Sequence, residues 1–289
     1  MKELLVISGK GGTGKTTIMG SLAVLAKDKV LADCDVDAAD LHLLLEPKIE
    51  ESHEFYGLDK AVIDPELCTQ CGKCLEVCRF GAISEDYYID PMDCEGCRVC
   101  HYMCPVEAIS MVKHRSGHWY ISSSNYGPLV HAALGIAEEN SGLLVSLVRQ
   151  KSRELAEELG ARYVLTDGPP GVGCPVIASL ADIDLALIVT EPTVAGLHDL
   201  ERVLALTEHF QVPAVVCVNK YDLAEGKTDE LEDYCREKEI EVVGLIPFRQ
   251  EVNRAVIQGK PVVEYSPGPA ADAIVDLWGR VKGLLDNRE

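Results

Sequence analysis

Leu4-Leu5-Val6-Ile7-Ser8-Gly9-Lys10-Gly11-Gly12-Thr13-Gly14-Lys15-Thr16-Thr17 lies at the start of the 289-residue chain. The apolar run Leu4–Ile7 reads as a buried strand, a glycine-rich turn follows at once, and Ile18 to Lys27 reads as a helix. Strand, G-x4-G-K-T loop and helix in that order form a phosphate-binding context. The glycines let the backbone N–H groups of Gly11, Gly12, Thr13, Gly14, Lys15, Thr16 and Thr17 converge on phosphate oxygens at a helix N-terminus, which favours anions. Lys15 is expected to reach the β- and γ-phosphates and the Thr16 hydroxyl to ligate Mg2+. The full pattern in this context disfavours the plain alternative, a glycine turn with no ligand.

Further along, Val30-Leu31-Ala32 reads as a strand running into Asp33-Cys34-Asp35-Val36-Asp37. Tyr163-Val164-Leu165-Thr166 runs likewise into Asp167-Gly168-Pro169-Pro170-Gly171, Ala214–Val218 into Asn219-Lys220, and a further strand ends at Ile246-Pro247-Phe248. Helical stretches over 142–159, 196–210 and 229–238 separate them. This alternation predicts an α/β fold, a mostly parallel sheet with helices on both faces. A lone aspartate is ordinarily a helix cap or a solvated loop residue. Two aspartate loops at the C-terminal ends of strands lie where open α/β sheets bind ligands. Residues 269–285 repeat apolar side chains at helical spacing (Ile274, Leu277, Trp278, Val281, Leu284, Leu285) and carry both signs of charge. Packing against the domain is expected there, in preference to a membrane surface.

Eight of the twelve cysteines form two matching sets: Cys68, Cys71, Cys74, Cys78 and Cys94, Cys97, Cys100, Cys104. Both read C-x2-C-x2-C-x3-C. The second lies 26 residues after the first, and Ala82-Ile83-Ser84 recurs as Ala108-Ile109-Ser110. This is an internal duplication whose spacing suits thiolate-held iron–sulfur clusters. Four-cysteine zinc sites also use short paired spacings. Cys97 to His101 spells the C-x-x-C-H of haem attachment, but that assignment would consume two of the duplicated cysteines. Of the rest, Cys217 reads as core, Cys34 lies in an aspartate loop, Cys235 reads as lying on a surface helix, and Cys174 as a small apolar residue in the turn after Asp167.

Acidic residues outnumber basic ones 47 to 27, a formal charge of −20. That argues against nucleic-acid backbones and anionic membranes as partners. No apolar run approaches a membrane span of about 20 residues. The opening MKELLVISGK carries no basic leader, so a cytoplasmic location is expected, where closely spaced cysteines ligate metals or clusters instead of forming disulfides.

Lys10 makes the loop more specific: K-G-G-T-G-K-T resembles the deviant Walker motif of the MinD/ParA family, which includes the nitrogenase iron protein. The resemblance covers about residues 1–45 and 115–289. It implies ATP and Mg2+ as ligands and ATP-dependent dimerisation, as a homodimer or as a heterodimer with a paralogue. It further implies Lys10 as the contact to the partner's nucleotide, Asp35 as the residue positioning the attacking water, Asp33 and Asp167 near Mg2+, Asn219 reading adenine and Pro247 flanking the base. Lys10, Lys15, Asp35 and Asp167 are thus the expected catalytic set. Gly127 to Gly142 is similar to a subgroup of the family and suggests no chemistry of its own.

The cysteine module resembles two-cluster bacterial ferredoxins, in which each cluster takes its fourth ligand from the other repeat. Carried over, Cys68, Cys71, Cys74 and Cys104 hold one [4Fe–4S] cluster, and Cys78, Cys94, Cys97 and Cys100 the other. Pro105 follows Cys104 as that motif expects, whereas Arg79 stands after Cys78. The expected organisation is an ATPase domain of residues 1–60 and 114–289, interrupted by a small inserted α+β ferredoxin-like domain, 61–113. The implied function is an ATP switch gating electron transfer to an unidentified redox or cofactor-client protein. The alternatives are an iron–sulfur or metal-cofactor assembly ATPase, and a MinD-type positioning protein with structural clusters.

Overall fold

The computed structural model describes residues 1–135 and 141–287. Residues 136–140 of the 127–142 segment lie outside the described residues. Two compact units are formed, one of Met1–Ser52, Trp119–Ala133 and Ser141–Glu289, the other of His53–His118 with Leu134–Asn140.

The strands are β1 (Lys2–Ser8), β2 (Lys29–Asp33), β3 (Lys48–Tyr56), β4 (Lys60–Ile63), β5 (Ile109–Val112), β6 (Arg115–Ser124), β7 (Gly127–Leu134), β8 (Tyr163–Pro170), β9 (Leu185–Thr190), β10 (Ala214–Asn219) and β11 (Val242–Ile246). Nine of them make one sheet in the order β11-β10-β9-β1-β8-β2-β7-β6-β3. The pairings from β11 across to β7 are all parallel. Such a sheet is covered on both faces, and β1 illustrates it. Leu4 and Val6 join a core with the helices Lys15–Leu25 and Pro269–Asp286. Leu5 and Ile7 point the other way, into a core with the helices Cys174–Leu180, Val194–His209 and Glu225–Glu237. Strand alternation thus supplies both layers from one apolar run.

The helix Pro269–Asp286 buries Ile274, Leu277, Trp278, Val281 and Leu285, as its apolar spacing implied. Among the described residues no helix is long and apolar enough to cross a membrane. Two cysteine readings change. Cys235 is fully buried, because it faces inward from the otherwise polar helix Glu225–Glu237. Cys174 is exposed as the first residue of the helix Cys174–Leu180.

The sheet order places β1 between β8 and β9, with β2 beyond β8. The chain leaves β1 toward one edge and reaches the other through β9. That reversal opens a crevice at the C-terminal ends of β1, β8 and β2, the usual ligand position in such sheets. The phosphate-binding loop and both aspartate loops meet there.

The second unit pairs β4 with β5 in antiparallel register, Lys60 opposite Val112 and Ile63 opposite Ile109. Its small core joins Ala61, Ile83, Ile89 and Ile109 to Cys74 and Cys94.

Candidate functional site

Backbone geometry in the loop is set by glycine where a side chain cannot go. Gly14 has φ +92°, and a Cβ there would sit 2.3 Å from Asn219 Nδ2. That amide crosses from the end of β10 and donates to the Thr13 carbonyl at 2.7 Å. The loop, with Thr16 and Thr17 in the first turn of the helix Lys15–Leu25, lines a cavity of about 330 Å³ together with Ser8, Asp35, Ala38, Asp40 and Pro170.

Lys15 is buried in this cavity wall. Its Nζ donates to Asp167 Oδ1 at 2.7 Å, and lies 3.5 Å from Asp35 Oδ2 and 3.3 Å from Thr16 Oγ1. Burial works against the ammonium, yet Asp167, Asp35 and Asp33 outweigh it and hold the Lys15 pKa above the ordinary lysine value. Burial, and next the charge of Asp167, push the Asp33 carboxyl well above its usual range. Asp35 is raised as well, by burial first, with Lys15 opposing. Both Asp33 oxygens accept backbone N–H groups, from Asp35 and from Leu41, each at 3.2 Å. Asp33 therefore fixes the course of the loop that carries Asp35.

Three carboxyl groups surround one ammonium, and among the described residues Asp167 Oδ2 and Thr13 Oγ1 are buried without a hydrogen-bond partner. Buried polar atoms ordinarily have partners. A buried carboxylate oxygen with no partner fits a hydrated Mg2+ as its counter-ion, and Thr16 shares the Lys15 ammonium with Asp167, at 3.3 and 2.7 Å.

A second cavity, about 420 Å³, shares Gly12, Gly14 and Thr17 with the first. It is walled by Ile18, Asn219, Lys220, Ile246, Val252, Asn253, Val256, Ile257 and Ile274. Its apolar walls beside the asparagine amide suit a flat heteroaromatic base. Ile246 lines it and Pro247 does not. The stretch after Ile246 turns away, its Phe248 N–H donating to Asp222 at 2.7 Å.

Lys10 is held within its own chain. Its Nζ is 2.6 Å from Glu191 Oε1, while Glu191 Oε2 takes Lys220 Nζ at 3.1 Å. Lys220 Nζ also donates to the Gly12 carbonyl at 3.2 Å. Burial opposes the Glu191 carboxylate, and the hydrogen bonds from Lys10 and Lys220 pull its pKa below the usual range.

In the second unit the duplication is visible in the backbone. Cys68 N–H donates to the Asp64 carbonyl and Cys94 N–H to the Asp90 carbonyl, both at 3.0 Å. Asp64 N–H reaches the Ala108 carbonyl at 2.7 Å, and Asp90 N–H reaches that of Ala82 at 2.8 Å. Left-handed residues recur at the same places, Gln70 with Gly96 and Gly72 with Arg98, ahead of the matching helices Lys73–Val77 and Val99–Met103. Cys68, Cys71, Cys74 and Cys104 line one small cavity with Ile63, Val106 and Ile109. Burial raises the Cys74 thiol, and Cys68 and Cys71 beside it add to the effect. Burial likewise raises Cys100, whose neighbouring thiols are Cys94, Cys97 and Cys78. Each group mixes three cysteines of one repeat with one of the other. Thiols from several segments facing an apolar recess fit an iron–sulfur cluster in donor chemistry. Among the described residues no three His, Cys, Asp or Glu side chains are grouped closely enough to hold a metal ion. The gathering of the thiols is therefore looser than a single-ion site.

Residues 4–262 match the CobQ/CobB/MinD/ParA nucleotide binding domain. The chain belongs to this family. Its MinD and ParA members are ATPases, and so is this chain. An uncharacterized protein of Methanocaldococcus jannaschii, MJ0578, is 38% identical over 221 residues, covering 75% of this chain and 78% of its own length. The septum site-determining protein MinD of Neisseria meningitidis is 23% identical over 100% of this chain and 93% of its own. Among solved structures, MinD of Pyrococcus horikoshii complexed with Mg-ADP superposes with a TM-score of 0.61 at 18% identity, covering 98% of this chain and 96% of that one. That likeness establishes the MinD-type α/β fold.

Glu191, Ala38, Asp40 and the wall from the helix Gln250–Ile257 were not legible as parts of this MinD/ParA site. A glutamate closing β9 has no motif around it. The only signal for the helix was an apolar trio, Val252, Val256 and Ile257, of which Val256 and Ile257 stay exposed at 43% and 84%.

Proposed function

We propose that the chain is an ATP-driven switch whose second unit carries two [4Fe–4S] clusters, and that nucleotide-dependent pairing gates one-electron delivery to a partner protein or metallocofactor. The pairing is with a second copy or with a paralogue. The observation that supports the reading is the small cavity lined by Cys68, Cys71, Cys74 and Cys104, with Cys94, Cys97 and Cys78 as the thiols nearest in effect to Cys100. When bound, each cluster supplies a one-electron couple, filled by a reduced donor protein and emptied to an oxidised acceptor.

In the first unit, Thr16 and Asp167 would hold Mg2+, and the loop N–H groups the phosphates. Lys15 then shares its charge between Asp167 and the γ-phosphate. Asp35 orients a water for attack on the γ-phosphorus; the bond to ADP breaks and the water's proton leaves with phosphate. Lys10 exchanges Glu191 for the partner's nucleotide. Asn219 and the wall at Ile246 hold the base.

A second reading, a cofactor-assembly or carrier ATPase, draws on the exposure of Cys71 and Cys97, which would let a cluster leave toward a client. The test is anaerobic purification with iron and acid-labile sulfide analysis, followed by light scattering with a non-hydrolysable ATP analogue. Roughly eight iron per chain and an analogue-dependent dimer are expected. A chain without iron removes the redox half of the reading, and a chain that stays monomeric removes the pairing. Transfer of intact clusters to an apo-ferredoxin on MgATP addition favours the carrier.

A further inference from the structure

The two cysteine loops are alike in backbone but not in charge. Lys60, at the start of β4, is buried at 6% exposure. Its Nζ donates to the Cys94 carbonyl at 2.6 Å, and among the described residues no carboxylate lies within ion-pairing distance of it. An ammonium has three hydrogens to donate, and burying it without a counter-charge is costly. A cation kept in such a place calls for an anion that arrives later.

The duplication supplies an internal control. Twenty-six residues after Lys60, at the matching place in the other repeat, stands Asp86, which is exposed. The segment bearing Lys60 is also fixed to the second loop. A Cβ at Gly96 would come within 2.5 Å of the Asp59 carbonyl, and Arg98 pairs with Asp59 at 3.0 Å. That pair neutralises Arg98 and leaves Lys60 as the buried cation against the loop.

We propose that Lys60 is the built-in counter-charge of the second cysteine site, making the cluster held by Cys78, Cys94, Cys97 and Cys100 the easier of the two to reduce. This rests on the iron–sulfur reading above. A thiolate-ligated [4Fe–4S] cluster is anionic and gains one more negative charge on taking an electron, so a fixed cation in a low-dielectric wall favours its reduced form. The first site has no buried cation among the described residues: Lys73, which lines its cavity, is exposed to solvent and screened, so that site keeps the lower potential. An electron donated at the first site then runs downhill to the second, which gives the pair a direction.

The test is an EPR-monitored potentiometric titration of the anaerobic holoprotein, native and Lys60→Met, with iron and sulfide measured on each. The native protein is expected to show two one-electron couples. Lys60→Met should weaken reduction of the higher couple at least tenfold, about 59 mV for one electron, and leave the lower couple in place; Lys60→Arg should retain both. A Lys60→Met protein with full iron and both couples unmoved overturns the assignment of Lys60 alone, as does movement of the lower couple. If Lys60→Met fails to fold, Cys97→Ser and Cys71→Ser decide instead. Cys97→Ser should displace the higher couple and Cys71→Ser the lower, and the reverse overturns the proposal. Native protein without iron or sulfide overturns the iron–sulfur reading and this inference together.

Discussion

Replacing Gly14 with alanine should disturb the site through two separable effects. The first is conformational: φ is +92° at this position, and an L side chain in the left-handed region costs about 1–2 kcal/mol. The second is steric: the new Cβ would lie 2.3 Å from Asn219 Nδ2, so the amide must leave and its 2.7 Å hydrogen bond to the Thr13 carbonyl is lost. A hydrogen bond of this kind contributes about 0.5–1.5 kcal/mol net. Gly14→Ala should therefore destabilise the nucleotide-free protein by about 2–3 kcal/mol, and Asn219→Ala by about 1 kcal/mol, each from the bond energies just given. The double variant tests the reasoning. With the amide gone the alanine meets nothing, so only the conformational cost adds, and the two changes should be sub-additive by about 1 kcal/mol. Urea unfolding of the four proteins without nucleotide supplies the cycle. Strict additivity, or a Gly14→Ala cost below about 0.5 kcal/mol, would refute the contact.

Asp35 offers a pH signature. Burial raises its carboxyl above the ordinary value of 3.8 despite Lys15, so the folded chain binds that proton more tightly than the unfolded one. Its ionisation costs stability, a cost absent below the unfolded value and growing as pH rises through the folded one. Asp35→Asn should then stabilise the nucleotide-free protein at pH 7, with the advantage fading as pH falls to about 4; a pH series of melting temperatures reads this, and a constant difference contradicts it. Glu191→Gln removes the charge that holds Lys10 at 2.6 Å, so sedimentation with a non-hydrolysable ATP analogue should show a dimer tightened several-fold, and an unchanged or weaker dimer counts against Lys10 release. Cys104→Ser should lose roughly half the iron, together with the signal that Cys71→Ser also removes. Loss of the Cys97→Ser signal instead would mean that the repeats do not exchange ligands.

Short-range signals made much of this legible. The glycine loop and the two aspartate loops each occupy a few consecutive residues whose chemistry leaves little choice, and the duplication of the cysteines is visible in their spacing over residues 68–104. The partners of those motifs were not legible, because they come from far along the chain. Glu191 lies 181 residues from Lys10, and its role exists only once β9 lies beside β1. Strand β3 escaped for another reason. Lys48–Tyr56 reads KIEESHEFY and is exposed nearly throughout, so it lacks the apolar alternation of a half-buried strand. Lining up at the end of the nine-strand order, it carries the charged side chains that edge strands use against unwanted pairing. Lys60 was hidden likewise, since a lysine before an apolar tripeptide reads as a solvated strand end until the fold places it under Cys94.

The most direct test of coupling between the nucleotide site and the cysteine unit is one redox titration. The anaerobically purified protein would be titrated by EPR with and without MgATP or its non-hydrolysable analogue. A nucleotide-dependent shift of at least one cluster by more than about 30 mV, a roughly threefold change in a one-electron equilibrium, is the expected result. Two clusters whose potentials ignore the nucleotide would contradict an energetic link, and would leave the ATPase acting on docking or assembly alone.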